Sequence, residues 1–162
     1  MAILVAAFIQ PLIEVSNVLK EKVTLGAAIM NSCRAARNNA LTSVNYYSND
    51  RNMGDLNAFI DEGEFRRFFA EAFSETLGVG IIDSAANPME FEASERWGAI
   101  TVDVRLDYDE SGDFENRGRS TATVEVETPY VFRTSLLQKA SASSEVAYNI
   151  TETRVFSVQI IN

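Results

Sequence analysis

The sequence predicts an α+β protein in which a long amino-terminal apolar helix precedes a second helix packed on an antiparallel β-sheet. Three patterns predict this class: helical spacing of apolar residues to about residue 46, a second helical pattern that ends at Gly78, and strict alternation after residue 99. Helices come first along the chain and strands follow, which is typical of α+β proteins. We expect two parts, an amino-terminal helix over residues 1–46 and an α+β head over residues 47–162.

The first helix is predicted from its apolar start, MAILVAAFIQPLI, and from a helical pattern that continues to about Val44. Pro11 removes one backbone donor and predicts a kink. At about 1.5 Å per residue the helix would be roughly 65 Å long, whereas a head of ~115 residues has a radius of gyration near ~13 Å. About half of such a helix extends beyond its own head, and an apolar helix of this kind needs a membrane or copies of itself.

The candidate residues for contacts between subunits lie on this helix in two groups. Small residues recur every fourth position in the second half, and such a ridge lets another backbone approach closely. An ordinary buried helix face is the alternative interpretation. The candidate assembly residues are Phe8, Leu12, Glu14, Val15 and Leu19 in the first half and Ala28, Ser32, Ala36 and Ala40 in the second.

Glu14 is the polar residue that stands out in the apolar segment. A buried carboxylate costs several kcal/mol unless it is paired, so a buried Glu14 requires a partner such as the amino terminus of a neighbouring subunit, Lys20 or Lys22. The simpler interpretation, which we prefer from the sequence, places residue 14 at the boundary with water.

The second helix is predicted from Asp55, as the N-cap, to Leu77, with Gly78 ending it in the left-handed conformation. Its five phenylalanines are expected to form core that covers a sheet, since their spacing is helical.

The strands are predicted from alternation. Residues 78–94 are expected to be irregular or to hold one short strand. Residues 100–108 and STATVEVETPYVF alternate between apolar and polar side chains and predict an antiparallel hairpin whose second strand ends or bends at Pro129. Residues 146–161 predict one or two further strands.

Composition excludes several classes of function. A net charge of −9 repels phosphate backbones, so we expect no nucleic-acid partner. The chain has no histidine and a single cysteine, Cys33, which removes the commonest general base and metal ligand. No catalytic or phosphate-binding motif is present, and we expect neither an enzyme nor a resident cofactor.

One loop resembles half of a calcium site. Its oxygen-bearing side chains, at alternate positions before and after Gly112, are Asp107, Asp109, Ser111 and Asp113. Calcium takes six to eight oxygens, and the twelfth position, where a bidentate carboxylate is usual, is Gly118. A calcium site and a solvated hairpin tip therefore both stay open.

The amino-terminal half resembles a known family. Pro11-Leu12-Ile13-Glu14-Val15, followed by Gly26-Ala27-Ala28 and then Cys33-Arg34-Ala35-Ala36-Arg37, resembles the TadE-like pilins and pseudopilins of tight-adherence secretion systems, and more loosely type IV pilins. The resemblance covers about the first 45 residues. It implies a leader removed by a prepilin peptidase, membrane insertion before assembly, and a helix packed in the core of an adhesive filament at the cell surface.

The expected function is therefore that of a structural subunit of an extracellular filament. The alternatives are a soluble α+β ligand-binding module with a cavity lined by the phenylalanines, and a virion or tail structural protein. If the filament hypothesis holds, a chain that begins near residue 50 should be a folded, soluble monomer, whereas the binding-module hypothesis predicts loss of cooperative unfolding.

Overall fold

The computed structural model describes residues 2–43, 61–108, 119–134, 137–139 and 148–159. Two helices precede five strands, which confirms the predicted α+β class. The elements are α1 (Ala2–Ser43), α2 (Glu62–Leu77), β1 (Ile81–Asp83), β2 (Met89–Phe91), β3 (Ile100–Tyr108), β4 (Arg119–Pro129) and β5 (Asn149–Gln159).

The strands form one antiparallel sheet in chain order, β1-β2-β3-β4-β5. Val104 lies opposite Val124 and Val102 opposite Val126, so the apolar sides of β3 and β4 share one face. These four valines are fully buried, which confirms the predicted hairpin, and β4 ends at Pro129 as expected. The expectation of at most one short strand over residues 78–94 is wrong, because β1 and β2 both lie there and pair with each other.

Both helices lie on the buried face of the sheet and form one core with it. The second half of α1 packs against α2 and β5. The fully buried apolar side chains that the structure describes are Leu25, Ala28, Ile29, Cys33, Ala36 and Ala40 from α1, Phe65, Phe69, Ala70 and Phe73 from α2, and Met89, Phe91, Ile100, Val102, Val104, Ala122, Val124 and Val126 from the sheet. The core therefore crosses the boundary predicted at residue 46, because residues 25–40 belong to it as much as the sheet does.

Helix α2 begins later than predicted. Asp61 has an extended backbone, with φ −66° and ψ 120°, and its carboxylate accepts a hydrogen bond from the N–H of Glu64 at 2.8 Å. Asp61 is therefore the N-cap, and the prediction of a continuous helix from Asp55 is wrong at residue 61. Residues 44–60 lie outside the described part of the chain.

The other end of α2 is as predicted. Gly78 has φ 67° and ψ 40°, and its N–H donates to the carbonyl of Ser74 at 2.8 Å. We expect Gly78→Ala to lower the free energy of unfolding by about 1 kcal/mol, because a Cβ disfavours this left-handed conformation. Gly78→Asn should cost less, since asparagine tolerates the conformation better. Urea unfolding of the three proteins tests this, and an alanine variant as stable as the parent would contradict it.

Helix α1 is one uninterrupted helix over Ala2–Ser43 with Pro11 inside it. The side chains of residues 2–8, including Phe8, lie outside the described part of the structure. Across the residues that the structure describes, neither helix combines the length and the apolar character that crossing a membrane requires.

Candidate functional site

The first half of α1 is fixed to the head through Glu14. Its carboxylate is buried, with 3% of the residue exposed, and it accepts three hydrogen bonds. The donors are the hydroxyl of Tyr130 at 2.5 Å, the backbone N–H of Arg133 at 2.7 Å and the backbone N–H of Thr134 at 2.5 Å. The interpretation that residue 14 lies at the boundary with water is therefore wrong, and the partners proposed from the sequence, Lys20 and Lys22, are not the ones it bonds.

The hydrogen bond between Glu14 and Tyr130 shifts the pKa of both side chains. Burial raises the pKa of Glu14, but the hydrogen bonds from Tyr130 and from the Thr134 and Arg133 backbone outweigh burial, and the pKa is lowered below its ordinary value of 4.5. Burial, and then the hydrogen bond donated to Glu14, raise the pKa of Tyr130. At neutral pH a carboxylate thus faces a protonated phenol, which is the arrangement of a charge-assisted hydrogen bond.

A second buried carboxylate, Glu21, lies seven residues further along α1. Its carboxylate accepts a hydrogen bond from the guanidinium of Arg96 at 2.7 Å and another from the guanidinium of Arg133 at 2.6 Å. Arg96 belongs to the segment between β2 and β3, and Arg133 follows β4. Because β3 and β4 are antiparallel neighbours, the start of β3 and the end of β4 lie at the same end of the sheet, and α1 is held there.

Residues seven apart share one face of a helix, so Glu14 and Glu21 fix the rotation of α1 about its own axis. We call this pair the α1 anchor. On a different face of the helix four large apolar side chains point into solvent, with 57–71% of each residue exposed. This α1 stripe consists of Leu12, Val15, Leu19 and Val23.

A groove runs between the α1 stripe and the segment that follows β4. Its volume is about 400 Å³. It is lined by Pro11, Glu14, Val15, Val18, Leu19, Lys22, Phe132, Leu137 and Tyr148. The groove does not match the predicted ligand cavity, because the phenylalanines of α2 fill the core instead, with the rings of Phe69 and Phe73 stacked at 5.4 Å.

The candidate assembly residues therefore separate into two sets. Leu12, Val15 and Leu19 are exposed, whereas the small-residue ridge Ala28, Ser32, Ala36 and Ala40 is fully buried inside its own protomer. The ridge is thus an ordinary buried helix face, the alternative interpretation of that pattern. Small side chains there allow α1 and α2 to pack closely within one subunit.

The structure describes little of the calcium-like loop. Asp107 is exposed at the end of β3, and Asp109, Ser111 and Asp113 lie outside the described residues. In the described ranges of the chain, no three acidic or cysteine side chains come together as a metal site.

Comparison of the chain with protein-family models, with curated proteins and with solved structures found no match.

The sequence does not identify the partners of the α1 anchor. Arg96, Tyr130 and Arg133 belong to no motif and lie far from Glu14 and Glu21 along the chain. One signal was available: Glu14 and Glu21 are two acidic residues seven apart on one face of the helix, and such a pair indicates partners on a common neighbouring element.

Proposed function

We propose that this protein is a structural subunit that assembles with copies of itself into an extracellular filament. The first half of α1 makes the contacts between subunits, and the sheet-bearing head is displayed outward. The observation that carries the proposal is the α1 stripe, a row of large aliphatic side chains that the subunit's own head leaves in water.

The free energy gained by burying the α1 stripe is comparable to the free-energy cost of association. Burying one aliphatic side chain completely contributes roughly 1.5–3 kcal/mol. The four side chains of the stripe are 57–71% exposed, so burying what remains exposed on two copies contributes about 7–15 kcal/mol. Association costs about 4–15 kcal/mol in lost translational and rotational freedom. One such contact alone is close to balance, so any further contact that a filament adds between subunits favours assembly.

The α1 anchor makes the contact repeatable. Each added subunit must present the same surface at the same angle, and a helix free to rotate would not do so. The buried hydrogen bonds of Glu14 and the two arginines on Glu21 hold the stripe outward in every copy. This is preorganisation, which lowers the ordering cost of association.

The resemblance of residues 1–45 to TadE-like pilins supports the same proposal. It adds a location at the cell surface and insertion of the subunit in the membrane before assembly. A virion or tail subunit would make the same self-contact without the membrane stage, whereas a ligand-binding module would use the 400 Å³ groove as a monomer.

We expect the full chain to form filaments or large oligomers above a threshold concentration, and Leu19→Gln to raise that threshold about tenfold or more. Glutamine keeps the helix propensity while removing an apolar contact, and about 1.4 kcal/mol is a factor of ten. Light scattering after size-exclusion chromatography and electron microscopy measure the effect.

The matched control is Ile82→Gln on the head. Ile82 and Leu19 have equal exposure, 58%, and similar side chains, but Ile82 lies on β1 outside the stripe. A wild-type chain that stays monomeric at all concentrations, or equal effects of the two substitutions, would overturn the proposal.

A further inference from the structure

Strand β5 offers a second surface for self-association, independent of the α1 stripe. It pairs with β4 on one side, and in the described part of the chain no strand lies on its other side. β5 is eleven residues long and contains no proline. An edge of this length presents a row of unpaired N–H and C=O groups that can pair with another strand.

The side chains of β5 divide between the two faces of the sheet. Ile150, opposite Thr128 of β4, is buried, and Phe156, opposite Ala122, is half-buried. Between them on the same face lie Glu152 and Arg154, which form an ion pair at 2.7 Å. The other face carries the exposed side chains of Thr151, Thr153, Val155 and Ser157.

We propose that β5 pairs antiparallel with β5 of a second copy, with Thr153 on the two-fold axis. In this register Glu152 of each copy lies opposite Arg154 of the other, so two ion pairs form across the seam. Ile150 lies opposite Phe156, and Thr153 lies opposite itself. Opposite charges and apolar pairs directly across a ladder each stabilise it.

The two symmetric registers centred on the adjacent residues are disfavoured by the same charges. Centring the pair on residue 152 places Glu152 opposite Glu152, and centring it on residue 154 places Arg154 opposite Arg154, and like charges in direct opposition destabilise a ladder. A register displaced by one residue brings opposite faces of the two strands together. The sequence of β5 is therefore self-complementary about Thr153.

Helix α1 accommodates the Arg154 side chain through a glycine. A Cβ on Gly26 would come within 2.7 Å of the Arg154 guanidinium, so the glycine provides the space in which that side chain lies. Arg154 retains 47% exposure of its side chain and is accessible to a second copy. Pairing about a two-fold axis uses the same strand on both subunits, which is the usual geometry of a symmetric dimer.

Variants that each add one cysteine to the full chain test the register. Thr153→Cys places two thiols opposite each other at a Cα separation of about 4.5–5.5 Å, inside the range of a disulfide. Thr151→Cys is the matched control, because Thr151 is also an exposed threonine of β5 but lies opposite Val155. Its two copies would be about four residues apart, roughly 13 Å, beyond disulfide reach.

Oxidation followed by non-reducing electrophoresis measures the covalent dimer. We expect Thr153→Cys to cross-link at least tenfold faster than Thr151→Cys. The parent chain serves as a blank, since Cys33 is buried and burial raises the pKa of its thiol to about 12. Equal rates for the two variants, or no cross-link at Thr153, would overturn the proposal and show that the charged pair protects the edge.

The result is distinguishable from a failure of the α1 contact. Adding Leu19→Gln to Thr153→Cys should leave the cross-linking rate within about twofold, because the stripe takes no part in the β5 seam. Adding Glu152→Arg should slow cross-linking at least tenfold by placing arginines opposite each other, and Glu152→Arg with Arg154→Glu should restore it. Loss of the cross-link with Leu19→Gln, or no effect of Glu152→Arg, would contradict pairing through β5.

Discussion

Glu14→Ala is expected to lower the free energy of unfolding by about 3–5 kcal/mol, because it leaves buried donors without their acceptor. The Tyr130 hydroxyl and the N–H groups of Arg133 and Thr134 all point to this one carboxylate. Small domains have only about 5–15 kcal/mol of stability, so the change removes a large part of it. Urea unfolding of the full chain below its assembly threshold measures the difference.

Two variants control this prediction. Tyr130→Phe removes one donor and keeps the backbone bonds, so it should cost less than Glu14→Ala, about 1.5–3 kcal/mol. Glu75→Ala replaces an exposed glutamate of α2 and should change stability by no more than about 0.5 kcal/mol. If Glu14→Ala behaves like Glu75→Ala, α1 is not held through this carboxylate.

The contribution of Glu14 should also depend on pH. Its pKa is lower in the folded chain than the ordinary 4.5, so its stabilising effect is complete above pH 4.5 and is lost as the pH falls through the folded value. The difference in unfolding free energy between the parent and Glu14→Gln should therefore be constant at neutral pH and shrink in acid. Unfolding curves between about pH 3 and pH 7 test the sign, and a difference that grows in acid would contradict it.

A chain that begins at residue 47 is expected not to unfold cooperatively. The deletion removes six fully buried apolar residues of the core, of which Leu25 and Ile29 alone contribute about 3–6 kcal/mol, and it exposes the faces of α2 and the sheet that they cover. This reverses the expectation that a filament subunit would retain a folded head without α1. Loss of folding here follows from the shared core and does not separate a filament subunit from a binding module.

The control for this deletion is a chain that begins at Ile9. It keeps Glu14, Glu21 and every core residue of α1 that the structure describes, and it should unfold with the same dependence on urea as the full chain. Thermal and urea unfolding followed by circular dichroism compare the three chains. A sharp transition in the chain that begins at residue 47 would mean that the head has a core of its own.

Three elements show how much of the fold can be predicted from the sequence. The hairpin of β3 and β4 was predictable because alternation specifies which side chains share a face. The end of α2 at Gly78 was predictable because glycine adopts the left-handed conformation most easily. Asp61 was missed as the N-cap because the apolar spacing continues upstream of it, and periodicity does not register a local capping bond.

Part of the candidate site was also predictable from the sequence, and part was not. Local spacing identified Leu12, Val15 and Leu19 as apolar positions on α1, but spacing does not say what covers a face. Tyr130 lies 116 residues after Glu14 and Thr134 lies 120 residues after it, so their hydrogen bonds exist only once the chain has folded.

The sequence by itself determined the α+β class, the long first helix, the alternating strands and the absence of histidine chemistry, because each depends on neighbouring residues or on composition. Only the tertiary structure decided that the small-residue ridge is covered by its own subunit while the α1 stripe is not. The reason is that one rotation of α1 satisfies the buried hydrogen bonds of Glu14 and the arginine pairs of Glu21, and that rotation leaves the stripe facing outward.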